Sequence, residues 1–296
     1  MIKTLGNNIV SAFTGGNPVK AIYAYGQLVW PVTIESSYYI KWTPSSAEGQ
    51  FNIDGTTYDL STFSGLYYWS TGIINSSAFQ NNYSIQSIET NATSIGIRAF
   101  MSCSSLSQVS LPMCSYIGAD AFANCYNLSQ VSLPICGYIG TYAFESCSSL
   151  TKISLPVCSD IGGGAFGYCS SLSQVNLPMC SKIDAYVFQN CSSLTQVSLP
   201  MCEFIRVRAF EYCRALSQVN LPICSHIAAA VFRYCSSLSR ITIGYSSVCS
   251  LYSTNVFDDT QITSSTGSIY VPASLVDAYK SAENWSVYSN IIYPIN

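Results

Sequence analysis

Fourteen cysteines offer the most reactive chemistry in the chain, as metal ligands, disulfide partners or nucleophilic thiolates. Their spacing separates these roles. Cys103, Cys125, Cys147, Cys169, Cys191, Cys213 and Cys235 recur every 22 residues. Cys114, Cys136, Cys158, Cys180, Cys202 and Cys224 form a second row of the same period, which Cys249 extends after a small insertion. In a stack of like units, one repeat position becomes a straight ladder with neighbours ~4.8 Å apart. Such a ladder cannot supply four tetrahedral zinc ligands. Side chains that project in parallel also fit disulfide geometry poorly. The expectation is a ladder of buried, reduced thiols that act as small apolar residues. Disulfides and a metal site are the alternatives, which a thiol titration separates.

Other raw material for catalysis is thin. His226 is the single histidine, so a Ser/His/Asp or Cys/His site would have to use it. It shares its repeat position with Tyr116, Tyr138, Asp160, Lys182 and Phe204, a position that accepts any side chain. Gly162-Gly163-Gly164 falls in a repeat turn with no Lys-Ser/Thr after it, so it is no phosphate loop. The carboxylates are scattered and make no acid/base pair. Asn-x-Ser/Thr triplets such as Asn91-Ala92-Thr93 are what a Ser-rich chain produces by chance. The chain is read as a non-enzyme with no metal and no cofactor.

Composition narrows the partner. Twelve basic against fifteen acidic residues give a net charge of −3, and charged residues make up only 9% of 296. Nucleic acid is thereby excluded, since phosphate neutralisation needs a basic stripe. The 22 tyrosines and many Ser, Asn and Thr leave a surface of hydroxyls and amides suited to polar contact with sugars or proteins. No stretch approaches the ~20 apolar residues of a membrane span. Met1–Pro31 holds no apolar run of signal-peptide length, and Tyr293-Pro294-Ile295-Asn296 is no sorting signal.

The elements that carry these residues come from one period. Phe100, Phe122, Phe144, Phe166, Phe188, Phe210 and Phe232 stand 22 residues apart without a slip. A unit that cannot bury its own apolar face must stack on its neighbours, so the period predicts a solenoid with these phenylalanines as core. One full unit runs from Leu106 through Val109, Leu111, Pro112, Cys114, Ile117, Ala121 and Phe122 to Cys125. Its Leu-x-x-Val-x-Leu stretch predicts a strand with Leu106, Val109 and Leu111 inward and Gln108 and Ser110 outward. Pro112 ends it, lacking an N–H for the next ladder bond. Ile117, Ala121 and Phe122 fill the return, expected as a 3₁₀ or short helical turn. One strand per unit gives a right-handed solenoid with a parallel sheet on one side.

Residues 1–75 lack the repeat and read as a β-rich region for attachment or capping. Strands are expected at Ala21–Trp30, Tyr38–Trp42 and Gln50–Leu60, the last around an Asp54-Gly55 hairpin turn. Repeats occupy 76–250, opening on a degenerate unit in which Ala78-Phe79, Asn82, Ile85 and Ile88 take the Ala-Phe, Cys, Leu and Val positions. Residues 251–296 form a C-terminal cap: a strand at Ser268–Val271, a helix start at Pro272, a helix near Ser274–Ala282, then Trp285 and Ile291-Ile292.

Ile139-Gly140-Thr141-Tyr142-Ala143-Phe144-Glu145-Ser146-Cys147-Ser148-Ser149-Leu150 resembles the hallmark of the BspA-like class of leucine-rich repeats. The stretch Ile269–Lys280 resembles the closing unit of that class, so the likeness covers roughly 78–292. It implies surface proteins of gut and oral microbes that bind host or bacterial ligands, and it transfers no catalytic residue. Members of the class usually carry a signal peptide. Val19–Trp30 is similar to short segments in virion proteins of phages that infect gut bacteria. That likeness implies a location on a virion or extracellular surface, with cytoplasmic synthesis and release by lysis.

Differences between units point to the ligand face. Gln108, Gln130, Lys152, Gln174, Gln196, Gln218 and Arg240 keep the strand face uniform, which suits internal ladder bonding. The return segment varies, and Tyr and Arg are favoured contact residues because they add area with few rotatable bonds. The candidate ligand-binding residues are Tyr116, Tyr138, Tyr142, Lys182, Tyr186, Phe204, Arg208, Tyr212 and His226, with Tyr186, Phe204 and Arg208 as the preferred cluster. The function read from this is recognition or adhesion toward a protein or carbohydrate on a cell surface, on a phage particle or microbial surface. The alternative is a structural spacer or decoration protein joined to a larger assembly through residues 1–75.

Overall fold

Each 22-residue unit closes one coil, and successive coils pair in parallel and in register. The computed structural model describes residues 72–83, 85–264 and 266–295, and in residues 1–71 the backbone of strand segments only. The coil has three sides. On the first, Gln108–Ser110 pairs with Gln130–Ser132, placing Gln on Gln, Val on Val and Ser on Ser. Alternation sets the facing: Val109, Leu106 and Leu111 are buried, while Gln108 is exposed. On the second side a shorter strand, Tyr116–Ile117, pairs with Tyr138–Ile139. The sequence reading expected one strand per unit; this second ladder is an addition to it. It is short because Ile117 alone points inward, between two turns.

The third side is built from 3₁₀-type turns, as expected for the return. Ala121, Ala123 and Cys125 donate back to Gly118, Asp120 and Phe122 through i→i−3 bonds. The residues between them do something else. Asp120, Phe122 and Asn124 donate to Thr141, Ala143 and Glu145 of the next coil. Alternate N–H groups thus serve the turn and the stack, and no backbone donor of the segment is left over.

Inside, Phe79, Phe100, Phe122, Phe144, Phe166, Phe188, Phe210, Phe232 and Phe257 form one column of buried, nearly parallel rings. Neighbouring centroids lie 4.9 Å apart at Phe79–Phe100 and 5.9 Å apart at Phe232–Phe257. The cysteines stand beside this column, all free and all buried. Each thiol of the first row donates to the carbonyl of the Phe one coil back, as Cys125 Sγ does to Phe100 at 3.1 Å. The second row caps a carbonyl two residues on, as Cys180 does to Lys182 at 3.0 Å. Burial holds the Cys136 and Cys158 thiols protonated, pushing both up to about 12, chiefly by desolvation. Because the thiolate is the nucleophile, native protein at pH 8 is expected to react with a thiol reagent far more slowly than protein in denaturant. In denaturant most of the fourteen thiols should titrate without reductant. Few free thiols under those conditions would mean that the rows are cross-linked.

One repeat position changes residue type part-way along the solenoid. A Cβ on Gly96, Gly118, Gly140 or Gly162 would lie 2.5, 2.8, 2.6 or 2.5 Å from backbone of the preceding coil. At the next coil this position is Asp184. Among the described residues the short-strand ladder stops at Asp160–Ile161 and restarts at Lys182–Ile183, the same step. Coils before this point leave no room for a Cβ. After it the position holds Asp184, Arg206 and Ala228, and the short strands of those coils still pair.

The ends are closed differently. The degenerate first unit keeps Phe79, Ile85 and Ile88 in the core, with buried Asn82 in the Cys place accepting from the Ile85 N–H at 3.2 Å. Tyr38–Pro44 pairs antiparallel with Ile85–Thr90, so the parallel sheet starts on an antiparallel strand. Tyr23–Ala24 pairs with Gln27–Leu28, and Gln50–Ile53 pairs with Thr56–Asp59. The turn residues Asp54 and Gly55 lie outside the described residues. At the other end Ser268–Val271 adds to Arg240–Thr242, and Ile292–Pro294 adds to Ile269–Val271. A 3₁₀ turn at Ala273–Leu275 and a helix at Val276–Ser281 follow Pro272. Trp285 covers the last ring, Phe257, with centroids 6.3 Å apart, and its indole N–H donates to the Cys249 carbonyl at 2.6 Å.

Candidate functional site

Three rows of variable side chains run along the solenoid, and the backbone explains where each points. The first lies on the short-strand ladder. Tyr116 stacks on Tyr138 at 4.7 Å and 3°, and Phe204 stacks on His226 at 4.7 Å and 18°. Asp160 and Lys182 stand between these pairs, with Lys182 bound to Asp184 at 3.2 Å. The second row is Arg98, Asp120, Tyr142, Gly164, Tyr186, Arg208 and Ala230. The third is Ser102, Asn124, Ser146, Tyr168, Asn190, Tyr212 and Tyr234. Every residue of both rows has a left-handed backbone, with φ between 54° at Asp120 and 66° at Gly164.

Hydrogen bonding accompanies this geometry. A left-handed residue turns its own N–H along the solenoid axis, and Tyr186 and Tyr212 so donate to Val207 and Arg233 of the next coil at 3.1 and 3.0 Å. Sequence reasoning found these rows by their variability and missed their conformation. A signal was present: Asp120, Asn124, Gly164 and Asn190 are types that tolerate a left-handed backbone. Tyrosine and arginine at the same positions hid it.

The structure joins some candidates and parts others. Arg208 lies over the Tyr186 ring, Cζ 6.0 Å from its centroid. Phe204, expected in that cluster, sits on the short-strand ladder and stacks on His226 instead. Tyr212 stacks on Tyr234 at 4.5 Å, a partner the sequence reading left out of its candidate set. Tyr142 lies where a Cβ on Gly164 would be, so glycine there makes room for the ring of the coil before. His226 Nδ1 is 2.7 Å from Ser225 Oγ, yet that hydroxyl donates to the Glu203 carbonyl.

Bonding on the strand face also differs from expectation. Among the described residues no side-chain hydrogen bond links Gln108, Gln130, Gln174, Gln196 and Gln218 to one another. The position before them does that work: Ser129, Ser173 and Thr195 each donate to a carbonyl of the preceding coil at 3.1 Å. The glutamines are therefore free to face solvent, along two shallow depressions of about 430 and 740 Å³ floored by Val131, Ile153 and Val175. Among the described residues no group of three or more His, Cys, Asp or Glu could hold a metal ion, and no helix is long and apolar enough to cross a membrane.

Residues 72–194 and 159–282 match the BspA type leucine rich repeat region, in six copies. The chain belongs to the BspA-type leucine-rich repeat family. Solved structures with these repeats are similar to it. A leucine rich cell surface protein from Faecalibacterium prausnitzii is 25% identical over 71% of this chain and 61% of its own, with a TM-score of 0.50. A leucine-rich repeat protein from Bacteroides ovatus is 24% identical over 70% of this chain and 64% of its own, with a TM-score of 0.47. The T. pallidum leucine rich repeat protein is 29% identical over 49% of this chain and 71% of its own, with a TM-score of 0.46. The chain thus spans less than two thirds of the length of the Bacteroides and Faecalibacterium structures. No curated protein matches it.

Proposed function

We propose that this protein is a non-enzymatic recognition module that binds a protein or glycan on a cell surface through its left-handed rows and short-strand ladder. One observation carries the reading. Tyr142, Tyr168, Tyr186, Arg208, Tyr212 and Tyr234 occupy backbone positions that glycine would fill without strain. Each large residue there costs on the order of 1 kcal/mol. Stability alone would favour Gly or Asn, so the large side chains are explained by what they contact. The Faecalibacterium relative is named a cell surface protein, in keeping with a surface role. The likeness of Val19–Trp30 to phage virion segments supports display on a particle, with residues 1–75 as attachment.

The test uses the full chain and intact gut-bacterial cells. Tyr186→Gly, Arg208→Gly and Phe204→Ala together are expected to abolish cell binding. The melting temperature should stay level or rise by a few degrees, because two left-handed positions are relieved. Normal binding by this variant, with loss on changing Gln174, Gln196 and Gln218 to Ala, would place the ligand in the strand-face depressions. If neither set matters, the spacer reading takes over, which the unbroken Phe column favours as a rigid rod.

A further inference from the structure

Charge is sparse along the repeats except in one place. Five of the six arginines, Arg206, Arg208, Arg214, Arg233 and Arg240, fall between residues 206 and 240, against a single acidic residue, Glu211. Arg206 is taken by Asp184 at 3.5 Å, and Arg240 lies over Tyr270 beyond the repeats, Cζ 4.2 Å from its centroid. Arg208, Arg214 and Arg233 remain, and each lies over a tyrosine ring. Arg208 lies over Tyr186, Arg214 over Tyr212 at 5.8 Å and Arg233 over Tyr234 at 4.7 Å, with Tyr212 and Tyr234 stacked on each other.

Glu211 is the counter-charge, and it is too little. Its side chain is 5% exposed, and it accepts from Gln189 Nε2 at 2.7 Å. Arg208 Nε and Arg233 Nη1 reach it only at 3.9 and 4.0 Å, beyond hydrogen-bond range. Arg233 Nη2 donates to Tyr234 Oη at 2.9 Å, while its Nε is buried with no hydrogen-bond partner. Three guanidiniums, each a fork of donors shaped for an oxyanion, therefore stand with one half-engaged carboxylate among them.

We propose that this arginine–tyrosine cluster is a binding site for an acidic polysaccharide, carboxylated or sulfated, which rests on the recognition reading above and names its ligand class. The chemistry fits on both counts. Guanidinium edges pair with carboxylate or sulfate oxygens, and the Tyr186, Tyr212 and Tyr234 hydroxyls meet sugar hydroxyls. Arg208 and Arg214 lie on one coil and Arg233 on the next, which suits an extended chain carrying charge at intervals. An acidic peptide fits less well. Peptides gain affinity by pairing their main chain with a free strand edge, and here the Tyr186, Arg208, Tyr212 and Tyr234 amides already bond to the next coil.

The experiment titrates the full chain with four polymers: heparin (sulfated), polygalacturonate (carboxylated), dextran (neutral) and polyglutamate (acidic peptide). Heparin or polygalacturonate is expected to bind, more weakly as salt rises from about 50 to 200 mM. Dextran should not bind, and polyglutamate should bind at least about tenfold more weakly than the better saccharide. Changing Arg208→Gln and Arg214→Gln, both exposed, should weaken the saccharide about tenfold or more with an unchanged melting curve. Changing Lys152→Gln and Lys280→Gln alters net charge equally and should leave affinity within about twofold. The site is refuted if neither acidic saccharide binds, if polyglutamate matches them, or if the lysine variant loses as much as the arginine variant. Should the saccharides fail while cell binding still requires Tyr186, the ligand class is wrong and the recognition reading stands.

Discussion

Phe166→Ala is expected to lower the unfolding free energy by ~3–5 kcal/mol, the range for a large aromatic truncation in a packed core. The ring is fully buried between Phe144 at 5.4 Å and Phe188 at 5.7 Å. Its removal leaves a gap that neither neighbour can fill, since each is held at its own coil by the backbone bonds Phe144→Ala165 and Phe188→Ala209. The position matters as much as the size. In a solenoid each unit touches only its neighbours, so a central defect weakens two interfaces. The same change at Phe79, on the edge of the column, should cost less. Denaturant melts of the two variants check this, and a loss below about 1 kcal/mol at Phe166 would show that the column is not the core.

Gly140→Ala is expected to cost ~1–3 kcal/mol, although it adds only one methyl group. Its Cβ would meet Ala119 N at 2.6 Å, Gly118 C at 2.6 Å and Gly118 O at 2.9 Å. These are backbone atoms of the preceding coil, which cannot swing away as a side-chain end could. The coil must move, and Ala119 and Gly118 are tied into the ladder on both sides. Ala228, one residue past its short-strand Ile as Gly140 is, already carries a Cβ at this repeat position. Ala228→Gly should therefore cost only ~0.5–1 kcal/mol, from added freedom in the unfolded chain. Equal losses at both sites, read from thermal melts, would show that the close backbone beside Gly140 has no energetic consequence.

The core was legible in the chain because its logic is additive. Phe100 to Phe232, the two cysteine rows and the inward Leu111 repeat with one period, and the stack that buries one copy buries them all, with the Val109 position buried or half-buried throughout. The thiols follow from the same geometry, and their carbonyl partners could be anticipated only as a ladder. The ligand rows were half legible. Variability located Tyr186, Arg208 and Tyr212, but the pairing of Phe204 with His226 rather than with Tyr186 depends on which ladder carries each residue.

By itself, the sequence determined that this chain must be a solenoid of 22-residue coils with phenylalanine and cysteine columns, and it marked where the regular coils end. Burial of apolar faces dictates that much, because no unit has a core of its own. Tertiary structure alone decided the rest. The second ladder, the left-handed rows, the break in the short-strand ladder before Lys182 and the approach of Arg208 and Arg233 to one buried carboxylate all arise between coils. The physical reason is that an N–H at Asp120 or Tyr212 takes its direction from a carbonyl 21 residues further along the chain. Local residue type does not encode that partner, and at tyrosine and arginine it argues for the opposite sign of φ.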